Sequence, residues 1–177
     1  MVFVCTGNRF RSPLAAAVFR HETEGLPVEV ASAGTLELGA VPALPEAVLE
    51  AERLGLDLGD HRARSLREAG AAEADLVVGF ERMHVVTAVV EAGARRERTF
   101  TLPELAALLG QIEPSEAGDS LERARTALEL AHGRRAPDPM RVNVPEIADP
   151  LGSPAAEQRK TAERVRRLTT AVARGLF

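Results

Sequence analysis

Val2-Phe3-Val4-Cys5-Thr6-Gly7-Asn8-Arg9-Phe10-Arg11-Ser12-Pro13 is the stretch that decides the fold. Its opening β-branched and aromatic residues read as a short buried strand. From Pro13 an apolar pattern carrying Leu14, Val18 and Phe19 predicts an amphipathic helix to about Glu24, where Gly25-Leu26-Pro27 breaks it. Between strand and helix lies a tight loop, with five residues separating Cys5 from Arg11. That spacing suits a loop wrapped around one oxyanion: backbone N–H groups point inward, Arg11 forms a bidentate fork, and a thiolate sits beneath. The helix N-terminus adds positive potential at the same spot and favours the nucleophilic thiolate. Gly7 and Asn8 tolerate positive φ, Ser12 offers a hydroxyl at the helix cap, and Pro13 fits the first helical position. Together they make a merely structural cysteine the poorer reading.

Outward from this loop, strands and helices alternate. Val28 to Ala33 reads as a strand closing at Gly34, residues 35–45 as a loop, and Glu46 to Leu54 as a helix with Gly55 just beyond it. A loop then carries Asp60-His61-Arg62-Ala63-Arg64, and Ser65 is placed to cap a short helix. The apolar run Ala74 to Phe80 suits a strand covered on both faces. A helix from Glu81 to Glu91, a strand from Arg98 to Leu102 and a helix from Pro103 to Gly110 follow. Gly118 to His132 reads as a packing helix, leading into a proline-rich basic loop, Gly133-Arg134-Arg135-Ala136-Pro137-Asp138-Pro139. In the last helix, Pro154 to Ala173, the spacing turns Ala162, Val165, Leu168 and Val172 to the core. Such alternation predicts a single α/β domain over residues 1–177, with a parallel sheet between two helical layers and the loop at the carboxyl end of the first strand. Residues at about 105–145 are a helical elaboration on it.

Composition narrows the function classes. At 177 residues, with 45% hydrophobic and 27% charged residues, the chain can bury a proper core. A net charge of −4 argues against non-specific nucleic-acid or anionic-membrane binding, so an anionic substrate must be handled locally at the loop. The lone cysteine excludes an intramolecular disulfide and suits a reducing compartment. Met1 leads straight into the first strand and no apolar run is long enough to span a bilayer, so the expected location is cytoplasmic. His21, His84 and His132 lack spaced partners, and no metal site is expected.

The run Cys5-x-Gly7-Asn8-x-x-Arg11-Ser12-Pro13 resembles the signature of the low-molecular-weight protein tyrosine phosphatases, a family that includes arsenate reductases and protein arginine phosphatases. Ser32-Ala33-Gly34-Thr35, His61-Arg62-Ala63-Arg64 and Asp149-Pro150 are similar to further family landmarks, in the same order. The resemblance covers most of the chain apart from about residues 105–145. It implies a four-stranded sheet in the order 2-1-3-4. It also implies roles: Cys5 as nucleophile, Arg11 and the loop residues Thr6, Gly7, Asn8, Arg9, Phe10 and Ser12 around the phosphate, and Asp149 as general acid. Ser32 and His61 are expected to hydrogen-bond Asn8 and hold the loop in a strained conformation. Asp138-Pro139 is a second Asp-Pro pair, but the family arrangement favours Asp149, close before the C-terminal helix.

The departures from the family matter too. Phe10 stands where relatives carry a second loop cysteine, Arg9 where tyrosine phosphatases are aliphatic and arginine phosphatases have threonine. Leu151 follows Asp149-Pro150 where aromatics usually line the phosphotyrosine slot, and the chain has no Tyr or Trp. The expected activity is hydrolysis of phosphate monoesters of the protein phosphotyrosine type through a cysteinyl-phosphate, with no cofactor. Expected partners are a phosphorylated protein or small phosphate ester, with free phosphate as product or inhibitor, and the chain is expected to be a monomer or weak dimer. Arsenate reduction with an external small thiol and non-catalytic oxyanion binding are the alternatives.

Overall fold

The computed structural model describes residues 1–113, 118–135 and 145–177. Four parallel strands, β1 (Val2–Cys5), β2 (Ala31–Gly34), β3 (Val77–Gly79) and β4 (Thr99–Thr101), form one sheet in the order β2-β1-β3-β4. The helices are α1 (Arg11–Glu22), α2 (Pro45–Arg53), α3 (Arg82–Val90), α4 (Leu102–Leu109), α5 (Ser120–Gly133) and α6 (Ala155–Leu176). In register, Cys5 faces Gly34 and Val4 faces Gly79, so the carboxyl ends of β1, β2 and β3 share one edge.

Strands are shorter than the apolar runs that predict them. β2 starts at Ala31, which pairs with Val2, because Val28 has already turned its N–H back to the Leu26 carbonyl. Ser65 starts no helix. Its N–H and hydroxyl bond the Glu68 carboxylate in capping fashion, but the chain stays in turns.

The sheet separates two cores. Phe3, Val78 and Phe100 face α1, α4, α5 and α6, while Val2, Val4, Ala33 and Val77 pack with Ala88 of α3. Helix α1 is not amphipathic: every residue from Arg11 to Phe19 is buried, because it lies between the sheet and the helices α2 and α6. Phe19 stacks edge-on against Phe3 at 5.8 Å and Phe177 at 6.4 Å, which ties the end of α6 under α1. Helix α6 runs three residues past the expected end, burying Val172, Ala173 and Leu176.

Helix α5 packs through Ala124, Ala127, Leu128 and Ala131. Arg135, read in sequence as part of a basic loop, is instead a structural residue. Its guanidinium lies 3.9 Å from the Phe100 ring centroid, pairs with Glu104 at 2.9 Å, and donates to the carbonyls of Arg96 and Thr99. That satisfied cation fastens the end of α5 to β4.

Candidate active site

The loop from Thr6 to Phe10 joins β1 to α1 at the carboxyl edge of the sheet. Asn8 is its strained point, the only non-glycine residue at positive φ (51°) among the described residues. Gly7 does not use that freedom. Completely buried, Asn8 is held on three sides. Its Oδ1 accepts from the Arg64 N–H at 2.9 Å, its Nδ2 donates to Ser12 Oγ at 2.8 Å, and its carbonyl accepts from His61 Nε2 at 2.7 Å. The His61 contact is the expected one, made to the backbone. Ser32 is a correction: it is buried on β2 opposite Phe3, and among the described residues it makes no hydrogen bond to Asn8. Ser12 and the Arg64 amide take that place.

Gly34 lets the loop sit where it does. A Cβ there would meet Thr6 O at 3.0 Å, Leu36 O at 3.1 Å and Asn8 N at 3.2 Å. The exit from β2 also braces the loop, since Thr35 N–H and Leu36 N–H donate to the carbonyls of Cys5 and Thr6, each at 3.0 Å.

Cys5 Sγ lies 3.0 Å from Ser12 Oγ. Ser12 sits inside the first turn of α1 rather than at its cap, because the helix opens at Arg11; Pro13 accordingly occupies the third helical position. Its hydroxyl also reaches the Ala33 carbonyl at 3.2 Å. When the sulfur is a thiolate, that hydroxyl proton can turn from Ala33 to the sulfur, giving it a charge-assisted hydrogen bond. Phe10 turns its side chain into the core, 4% exposed, so only its backbone is left for the loop. Arg9 is half-buried on the rim, its Nε donating to the Pro42 carbonyl at 2.9 Å.

Arg11 is 1% exposed, and its donors are nearly all committed. Nη1 pairs with Glu81 at 2.8 Å and the Ile147 carbonyl at 2.9 Å; Nη2 pairs with Asp149 at 2.6 Å and Thr6 Oγ1 at 3.3 Å. Only Nε is buried without a partner. Asp149 thus reaches the loop from far along the chain, and its second oxygen accepts the Leu151 N–H at 3.1 Å. Asp138-Pro139 lies outside the described residues.

Glu81 and His84 are the residues the sequence reading missed. Their i, i+3 spacing directly after β3 is a capping pattern at the same sheet edge as Cys5, and that was the available signal. His84 Nδ1 accepts from the N–H groups of Phe80 and Glu81, at 3.3 and 3.1 Å, which assigns the ring proton to Nε2. Nε2 then faces Thr6 Oγ1 at 3.1 Å and Glu81 at 3.3 Å.

Burial, reinforced by the neighbouring Arg11 cation, pushes the His84 pKa down to about 4 from its ordinary 6.5. Between those values the unfolded chain binds a proton that the folded chain refuses. Stability therefore falls as pH drops from about 6.5 to about 4, by about 3 kcal/mol in total. His61, also lowered by burial, acts in the same direction. Urea titrations across this window should show the loss, and His84→Asn should flatten it. An unchanged slope in that variant rejects the assignment.

Among the described residues, no group of three or more His, Cys, Asp or Glu could hold a metal. No described helix is long and apolar enough to cross a membrane.

The sequence profile described as low molecular weight phosphotyrosine protein phosphatase matches residues 1–129. A protein-arginine-phosphatase of Bacillus subtilis is 38% identical over 108 residues, 59% of this chain and 70% of that protein. A low molecular weight protein-tyrosine-phosphatase of Streptomyces coelicolor is 38% identical over 132 residues, covering 68% and 73%. The crystal structure of a low molecular weight protein tyrosine phosphatase from T. tengcongensis aligns with a TM-score of 0.70 at 29% identity, covering 97% of this chain and 95% of that one. With this sheet order and a Cys-x5-Arg loop at the end of its first strand, the chain belongs to the low molecular weight phosphotyrosine protein phosphatase family, whose members are cysteine-dependent phosphatases.

Proposed function

We propose that this chain hydrolyses phosphate monoesters on proteins of the phosphotyrosine type, with Cys5 as nucleophile, Arg11 as phosphate anchor and Asp149 as general acid. The observation that carries this reading is the convergence of Asp149 on Arg11 at 2.6 Å, beside the loop that begins at Cys5. Glu81 and the Ile147 carbonyl hold Nη1, which leaves the Nε–Nη2 edge of Arg11 for two phosphate oxygens once Asp149 swings off Nη2. The displaced carboxyl group then stands over the phosphate, where the leaving oxygen needs a proton. Cys5 Sγ attacks phosphorus in line, the P–O bond to the leaving group breaks, and Asp149 delivers its proton to that oxygen. Asp149 then takes a proton from water as the water oxygen attacks phosphorus. The S–P bond breaks, the thiolate departs, and Ser12 donates to it.

Thr6, Gly7, Asn8 and Arg9 supply the loop backbone around the phosphate, with His61 as a positioning residue. The chain is read as one domain with α5 as its helical elaboration, working as a monomer or weak dimer. Its single cysteine suits the reducing cytoplasm. The test is turnover of a small aryl phosphate, phosphotyrosine, phosphoarginine, and arsenate with thiol, side by side. Hydrolysis of the aryl phosphate and phosphotyrosine is expected to dominate. Arsenate reduction without ester hydrolysis overturns the reading.

A further inference from the structure

A protein whose net charge is −4 concentrates positive charge on one side of α6. An open groove of about 940 Å³ along that helix is lined by Lys160, Arg164, Arg166, Arg167 and Arg174 against a single carboxylate, Glu163. Leu54, just after α2, lines it from the other side. Lys160, Arg167 and Arg174 lie opposite the stripe of Ala162, Val165, Thr169 and Val172 that packs into the core, and Arg164 and Arg166 flank it on either side. Lys160, Arg164 and Arg167, at i, i+4 and i+7, repel one another along the helix. Among the described residues their one ion pair is Lys160 with Glu157.

The groove is joined to the active site. Arg164 donates to the Glu146 carbonyl at 3.0 Å, and the next carbonyl, Ile147, accepts from Arg11. From there α6 runs on to Leu176 and Phe177, which line a hollow together with Met1 and Val2.

We propose that this groove docks an acidic segment of the phosphorylated protein substrate, an inference that rests on the phosphatase reading of the site. Lys160 to Arg174 spans about 21 Å at about 1.5 Å per residue, room for about six residues of extended peptide. Charge complementarity selects the occupant: five cations, set against Glu163 in the lining and Glu157 on Lys160, at fixed spacing along one helix. The groove has no aromatic lining on which bases could stack, and its apolar lining is only Leu54 and Ala171, too little to enter a bilayer. An acidic peptide strand needs neither.

The experiment compares the full chain with Arg166→Glu/Arg167→Glu/Arg174→Glu, and with the milder all-Gln triple should the first fail to fold. Substrates are phosphotyrosine peptides with Asp/Glu-rich or neutral flanks, and a small aryl phosphate. The acidic-flank peptide should lose about tenfold or more in kcat/KM, and so should the wild type when salt rises from about 50 to about 300 mM. The neutral peptide and aryl phosphate should stay within about twofold. Binding of a fluorescent, unphosphorylated Asp/Glu-rich ten-residue peptide, read by anisotropy, should weaken in parallel. This arm needs no turnover, so it still reads the groove if the aryl phosphate is not hydrolysed and the phosphatase reading itself fails. Equal losses on acidic and neutral peptides, unchanged anisotropy, or tighter binding of a single-stranded RNA or of vesicles containing phosphatidylserine each overturn the proposal.

Discussion

Cys5→Ser should abolish turnover, by about 10⁴-fold or more, and leave phosphate binding intact. The scale is that of removing a nucleophile from a site whose remaining groups act as a unit with it. Sparing of binding follows from geometry: the groups proposed to anchor phosphate are Arg11 and the loop backbone, and neither hangs on the sulfur. The loop is braced from outside, by Arg64, His61 and the exit from β2, so a serine leaves it in place. Phosphate should still protect the variant against thermal unfolding as mass action requires. Substantial residual hydrolysis in a contamination-controlled preparation, or loss of phosphate protection, would count against the mechanism.

Asp149→Ala should lower the rate by about 10²–10⁴ on substrates with poor leaving groups, and far less on activated aryl phosphates, whose leaving oxygen needs little protonation. A second consequence comes from the ion pair at 2.6 Å: without the carboxylate, Arg11 Nη2 keeps only the Thr6 hydroxyl as a partner before substrate arrives. Phosphate should therefore bind the variant at least as tightly as it binds the wild type, even as turnover collapses. Steady-state rates over a leaving-group series, with phosphate inhibition constants, separate the two effects. The same leaving-group pattern in Asp138→Ala would move the acid to the other Asp-Pro pair, and weaker phosphate binding in Asp149→Ala would mean the carboxylate supports the anion instead of competing with it.

Much of the site was legible from local sequence because its chemistry is local. Cys5, Asn8, Arg11 and Ser12 fall within one strand–loop–helix unit, where spacing alone decides which groups converge. The sheet pattern was legible for a similar reason, since β-branched runs alternating with capped helices leave few parallel topologies open. Helix α1 shows where periodicity misleads. Leu14, Val18 and Phe19 suggested one apolar face, yet Ala15, Ala16 and Ala17 are buried too, because α2 and α6 close over the opposite side.

What the chain determined by itself was the phosphate loop, which depends on contacts between near neighbours, and the alternation of strands with helices, which depends on the preferences of single residues and leaves few parallel sheets open. Tertiary structure decided the rest. Glu81, Ile147 and Asp149 meet Arg11, and His84 meets Thr6, only because β3 and the segment before α6 end at the same sheet edge as β1. Phe10 is drawn into the core and Ser32 gives way to the Arg64 amide because a buried loop takes whichever partner the packed fold brings within hydrogen-bond reach, and no spacing along the chain encodes that distance.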